Sequence, residues 1–125
     1  MQAGGANVWY FPDGWLPKQM ESGGLESHEA LMLLNTGTSP AEVKLDFYFE
    51  DKDPVADIPV VVEAERVKCL RMDCPEHVGG LQLPRMTQYA LVVRSDVRIV
   101  AMFGRMDLTQ PNLALYGCMG YCENR

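Results

Sequence analysis

The stretch Glu42-Val43-Lys44-Leu45-Asp46-Phe47-Tyr48-Phe49-Glu50 alternates between apolar and polar residues. Successive side chains of an extended chain point to opposite faces, so Val43, Leu45, Phe47 and Phe49 share one side and Lys44, Asp46, Tyr48 and Glu50 the other. This period of two predicts a strand with one face in a core, and Asp51-Lys52-Asp53-Pro54 follows it as a turn. Outward from this strand, further short apolar runs read the same way: Asn7–Phe11, Glu29–Asn35, Ile58–Val62, Arg66–Arg71, Tyr89–Arg94, Ile99–Met106 and Leu113–Tyr121. Turn-forming stretches such as Thr36-Gly37-Thr38-Ser39-Pro40 and Ser95-Asp96 separate them. Glu29–Leu34 has good helix propensity. It is short and runs into Asn35-Thr36-Gly37, so it is assigned as a buried strand. No stretch of about twelve residues keeps a helical period free of Gly or Pro. About eight antiparallel strands in one small domain, residues 1–125, fit an all-β sandwich or jelly roll.

The 125 residues suffice for one domain with its own core. Hydrophobic residues at 47% and charged residues at 22% exclude a disordered chain. The net charge of −6 argues against a general grip on nucleic acid or anionic lipid, both of which need a positive field. No run of about 18 apolar residues predicts a membrane span. Met1–Ala6 lacks the basic and apolar regions of a secretory signal, so a cytoplasmic location with reduced thiols is expected. Two segments, Pro12–His28 and Asp73–Thr87, read as loops long enough to be functional.

Cys69, Cys74, Cys118 and Cys122 raise the question of a zinc site. On an extended segment Cys118 and Cys122 would lie about 13 Å apart, too far for one tetrahedral ion. Free or buried thiols are the expectation, and no metal or cofactor is assigned. His28, in Ser27-His28-Glu29, has two readings, a base or ligand and a partner for a loop carbonyl. Neighbouring strand residues face opposite ways, which separates His28 from Glu29. His77 has no recognisable partner. Arg66 and Arg71 flank a strand, and Arg105 and Asp107 end another on a common face. Such pairs grip polyhydroxy or carboxylate ligands through forked donors and carboxylate acceptors, or else pin an edge or an oligomer interface. Trp9, Tyr10, Phe11 and Trp15 crowd the N-terminal segment, where core packing competes with stacking on a sugar ring. The sequence holds no Gly-x-Ser-x-Gly elbow, Walker loop, Gly-x-Gly-x-x-Gly or His-Glu-x-x-His.

Four stretches together resemble the sensory rhodopsin transducer family, from about Trp9 to Tyr121. They are Trp9 with Asp13-Gly14-Trp15-Leu16-Pro17, then Ser27-His28-Glu29 running to Leu34-Asn35 and Gly37. Phe47-Tyr48-Phe49 with Asp51, Pro54, Ala64, Arg66 and Arg71 follows, and then Arg105-Met106-Asp107 with Gln110. The resemblance implies an antiparallel β-sandwich of jelly-roll type that assembles as a homotetramer. It implies a non-catalytic domain that binds a sugar or sugar-acid-related small molecule, with a sensory or regulatory role. The alternative it leaves is an oligomeric interaction or signalling subunit that docks a protein partner. By the same resemblance Ser27, His28, Glu29, Asn35, Arg66, Arg71, Arg105, Asp107 and Gln110 are the candidate ligand-binding residues. The four cysteines and the Cys74–Pro84 loop depart from the family pattern, and nothing marks a photoreceptor partner.

Overall fold

A computed structural model describes residues 3–125. In chain order the strands are β1 (Ala6–Trp15), β2 (Glu21–Ser22), β3 (Leu25–Glu26), β4 (His28–Asn35), β5 (Ala41–Phe49), β6 (Val55–Val62), β7 (Arg66–Arg71), β8 (Gln88–Asp107), β9 (Ala114–Cys118) and β10 (Tyr121–Glu123). A one-turn 3-10 helix, Pro75–Val78, is the one helix among the described residues. It is not long and apolar enough to cross a membrane. Every strand pairing is antiparallel.

The two layers of the sandwich share β8. Its first half lies between β1 and β5, with Leu91 opposite both Phe11 and Phe47. β10 extends that layer beyond β1, and β6 beyond β5. Its second half lies between β4 and β9, with Phe103 opposite Leu31 and Cys118, and β7 flanks β4. The turn expected at Ser95-Asp96 is therefore corrected, because the chain stays extended there and crosses from one layer to the other. The cause is a bulge. Ala6 pairs with Ile99 and Val8 with Arg94, so Asn7 alone faces Ser95–Arg98. An excess of residues on one strand bends it and sharpens its twist. The polar residues that suggested a turn satisfy the bend: Asn7 donates its amide to the Ser95 carbonyl (3.2 Å), and Asp96 accepts the Glu42 N–H (2.8 Å).

The core is the set of inward faces. Val43, Leu45 and Phe47 are fully buried, as their period required. In β4 the inward residues are Glu29, Leu31, Leu33 and Asn35, all without exposed surface. Pairing on both sides, to β7 and β8, overrides the helix propensity of this segment. Asp46 departs from its expected exposed state: it is buried under Arg94, which holds both its oxygens at 2.7 and 2.8 Å. Trp9 and Phe11 are core residues, and the Trp9 indole donates to the Ile99 carbonyl (3.0 Å).

Of the two segments read as loops, Asp73–Thr87 holds the short helix Pro75–Val78, and Pro12–His28 is corrected, because it holds strands. β1 continues to Trp15 past an irregularity between Phe11 and Gly14. β2 and β3 then form a hairpin on Gly23 (φ 57°) and Gly24 (φ 83°), the positive φ pair that a tight hairpin turn needs. The expected strand Leu113–Tyr121 divides at Met119-Gly120, and β10 leaves β8 for the β1 edge. A Cβ at Gly120 would stand 2.3 Å from the Tyr10 carbonyl oxygen, so the crossing requires glycine.

Candidate functional site

Because β8 bends at Ser95–Arg98, its two ends return to the same end of the sandwich. Tyr89 near its start and Arg105 near its finish both reach the side chain of Glu29, at the start of β4. The Tyr89 hydroxyl donates to one carboxylate oxygen (2.6 Å), and Arg105 Nε donates to the other (2.9 Å). The Trp15 N–H donates to that second oxygen as well (2.9 Å). Burial pushes the Glu29 carboxyl above its ordinary range, and the donors Tyr89, Trp15 and Arg105 oppose the rise. Burial also holds the Tyr89 phenol protonated far above its usual range, with the adjacent carboxylate adding to the effect. Arg105 extends from this pair to the surface. Its Nη2 donates to the Asp13 carbonyl (3.0 Å), and its guanidinium lies 5.0 Å from the centre of the Tyr116 ring.

A second polar group stands at the same end, where β7 runs into the segment 72–87 that joins the two layers. Arg71 holds Asp73 through two parallel bonds of 2.7 and 2.6 Å. Arg85 Nη2 lies 3.7 Å from Asp73, and Arg85 Nη1 is fixed by the Pro17 carbonyl (2.7 Å). Burial would raise the Asp73 carboxyl, but the Arg71 bonds and the Arg85 charge hold it below its ordinary value. Asp73 and Pro75 stand between two hollows. One, about 470 Å³, has Leu16, Met72 and Leu83 as apolar wall and Asp73, Gln82 and Arg85 as polar groups. The other, about 430 Å³, holds Glu26, Arg71, Cys74, Glu76 and His77. His77 Nδ1 accepts the Arg71 N–H at 2.8 Å.

The structure gathers some of the sequence candidates and separates others. Glu29 and Arg105 form one buried pair, and Arg71 lines the neighbouring hollow. Ser27 is buried beside them, and its hydroxyl accepts the Leu108 N–H at 3.2 Å. His28 faces away from Glu29 and bonds the Glu26 carbonyl through Nδ1 (2.8 Å), the loop-carbonyl arrangement. Asp107 accepts the Thr109 N–H (2.8 Å) and shapes the turn that contains the exposed Gln110. Asn35 and Arg66 pair in register at the far end of β4 and β7, about 20 Å from Glu29 at strand rise. Asn35 pins the Gly37 turn to the Ser39 and Val62 carbonyls, and Arg66 donates to the Glu65 carbonyl beside it. Asp13, Asp73, Arg85, Tyr89 and Tyr116 join the site without having been singled out. Asp13-Gly14-Trp15 carried a signal as a compact motif, whereas Tyr89 read only as a core aromatic. The four cysteines are free, and Cys69, Cys118 and Cys122 are exposed. Among the described residues no three His, Cys, Asp or Glu side chains are placed to hold a metal.

Comparisons agree with this architecture. No curated protein matches the chain. The crystal structure of Thermotoga maritima 1070 superposes with a TM-score of 0.84 at 33% identity, over 96% of this chain and 97% of that one. The Anabaena sensory rhodopsin transducer superposes with a TM-score of 0.68 at 29% identity, over 82% of this chain and 91% of that one. The sequence pattern of the Anabaena sensory rhodopsin transducer family matches residues 4–122, and the chain belongs to that family.

Proposed function

We propose that this transducer-family domain is a non-catalytic, cytoplasmic binding module for a sugar or sugar-acid-related small molecule, with a sensory or regulatory role. One observation carries the reading: the fixed pair Asp73–Arg85 faces a hollow of about 470 Å³ whose other wall is apolar. A carboxylate that accepts from hydroxyls, a guanidinium that donates to them and an apolar wall against C–H groups suit a polyhydroxy ring. Glu29, Tyr89 and Arg105 hold the end of the sandwich rigid beside it. Ser27, His28 and Arg71 surround this end and stay candidates for the ligand's surroundings. Asp107 and Gln110 belong to the adjoining turn. Asn35 and Arg66, at the opposite end, fit a role in the turns there.

The test is a thermal-shift screen against monosaccharides, uronic acids and sugar phosphates, repeated on Arg85→Ala. Ligand at a hundred times its dissociation constant adds about 2.7 kcal/mol of stability. A specific shift in the native chain that Arg85→Ala abolishes supports the reading. A flat screen at millimolar ligand overturns it. The second reading is an interaction or signalling subunit, assembled as the homotetramer the resemblance implies and docking a protein partner. The exposed Val67, Met102 and Leu34 on the outer side of the β4, β7 and β8 layer favour it.

A further inference from the structure

His77 has no recognisable partner in the sequence, and the structure gives it one in the main chain. β7 pairs with β4 on one side and has a free edge on the other. The Met72 N–H bonds the Glu29 carbonyl. Backbone groups alternate sides along an antiparallel strand, so the Arg71 N–H points to the free edge. There it donates to His77 Nδ1 at 2.8 Å. A main-chain N–H can only donate, so Nδ1 must accept. The imidazole is therefore neutral, with its proton on Nε2. The short helix Pro75–Val78 makes its main-chain bonds locally, His77 N–H to the Cys74 carbonyl (2.9 Å) and Gly80 N–H to the Pro75 carbonyl (2.8 Å). Val78 plugs the helix into the core from within, and His77 fastens it to β7 at the surface.

We propose that His77 is a pH-operated latch on this helix: neutral, it holds the helix to the edge of β7, and protonated, it lets go. Histidine is the side chain whose charge ordinarily changes between about pH 5 and 8. A proton on Nδ1 would face the Arg71 N–H, donor against donor, and the bond would be lost. The displaced ring has a place to go. Beside it lies the hollow of about 430 Å³, whose walls include Glu76 on the helix itself and Glu26 on β3. Both carboxylates favour an imidazolium there over a neutral ring. The two positions of the ring thus belong to its two charge states.

The other charged groups around the ring do not reverse this. Arg71 on β7 opposes a second positive charge, but its guanidinium is held by Asp73 through two bonds and lies 3.7 Å from Glu26. Cys74 donates its thiol to Glu76 (2.8 Å), and that bond holds the thiol protonated above its usual range. From β6, Ile58 lies against Gly79, and the neighbouring Asp57 is paired with Arg94. From β4, Glu29 turns its carboxyl into the core, away from the free edge. Asp73 and Pro75 border both this hollow and the one of about 470 Å³. Release of the helix that begins at Pro75 frees that shared wall, so acidification loosens both hollows together. The latch goes beyond the ligand reading, because it is tested with no ligand present.

The test is amide hydrogen exchange on the full chain at about pH 8 and about pH 5, read as protection relative to intrinsic exchange. Two variants accompany it. His77→Asn places a carbonyl oxygen where Nδ1 stands, an acceptor that does not titrate. His77→Ala removes the acceptor. His77 is exposed, so both variants should fold, which circular dichroism checks. The native chain should lose about tenfold protection at the Arg71 amide at the lower pH, the worth of one hydrogen bond, and residues 76–81 should loosen with it. His77→Asn should stay protected at both pH values, and His77→Ala should be weak at both. Nitrogen NMR of the ring at the higher pH should find its proton on Nε2. An equal fall in His77→Asn would trace the pH dependence to a carboxyl such as Glu29 and overturn the latch. So would a proton on Nδ1, a native Arg71 amide indifferent to pH, or one that loosens while the helix keeps its protection.

Discussion

Glu29 sits without exposed surface among three donors, and the cost of disturbing it depends on what is left behind. Glu29→Ala strands the Arg105 charge and should cost about 3–5 kcal/mol, the range for breaking one side of a buried pair. Tyr89→Phe removes one donor and should cost about 1–3 kcal/mol. Urea unfolding midpoints rank the two, and equal losses would refute the charge argument. Arg105→Ala is a poor probe of ligand contact for the same reason, since it leaves the Glu29 carboxylate buried. The pH dependence follows from the same burial. The Glu29 carboxyl is raised above the usual 4.5 of a glutamate, so above that value the folded chain retains a proton the unfolded chain has released. Its contribution is complete below 4.5 and falls as pH rises through the folded value. Asp46 behaves oppositely. The Arg94 hydrogen bonds hold its carboxyl below 3.8, so its contribution is present above that value and is lost as pH falls further. Stability measured against pH should therefore fall less steeply above 4.5 in Glu29→Gln, and less steeply toward acid in Asp46→Asn, where Asp73 keeps part of the acid limb. Glu29 entered as a candidate through the family resemblance, and Arg105 through that resemblance and its two-residue spacing to Asp107. The other side-chain donor to Glu29, Tyr89, was not legible, because 60 residues separate it from Glu29 and a tyrosine in a strand reads as core.

The strands were legible wherever one face is buried and the other solvated, as in Val43–Phe49, because there the period of two survives in the residue types. Ser95-Asp96 misled because a bulge needs the same short polar residues as a turn. What distinguishes them is the partner: Asn7 and Glu42, which satisfy the bend, lie far off in sequence. Crossing from layer to layer without a turn is what brings Tyr89 and Arg105 to one end, so an error over two residues hides the site. β1 contributes to the same geometry through Gly14, opposite Tyr89. A Cβ at Gly14 would stand 2.5 Å from the Tyr89 ring. Gly14→Ala should therefore push the ring off Glu29 and cost about 1–3 kcal/mol, as overpacking does. The loss should overlap with that of Tyr89→Phe, since both break the bond to Glu29. A double variant that costs clearly less than the sum of the singles shows this coupling, and strict additivity would mean the ring merely slides without losing the bond.

At the scale of the molecule the two ends of the sandwich differ. At one, β8 crosses between layers and Asn35 ties the neighbouring turn to strand carbonyls. At the other, the segment 72–87 spans the layers and walls the hollow beside Asp73 and Arg85. Composition could not show this, nor could it show that Val67, Met102 and Leu34 stand exposed on one layer while the Arg94–Asp46 ion pair stands on the other. Both depend on which strands pair. The segment 72–87 is held at its edges, by Met72 N–H to the Glu29 carbonyl (2.9 Å) and Met86 N–H to the Leu16 carbonyl (2.7 Å). Between them its backbone bonds are local, such as Gly80 N–H to the Pro75 carbonyl, so it should open more readily than the strands it joins. A ligand seated against Asp73 and Arg85 would contact this segment and disfavour its opening. Hydrogen exchange with the best ligand of the thermal screen should then slow at residues 73–85 and stay unchanged at Ser95–Arg98 and Asn35–Gly37. Protection spread evenly over both ends would instead report a general gain in stability, and the hollow would lose its claim to be the binding site.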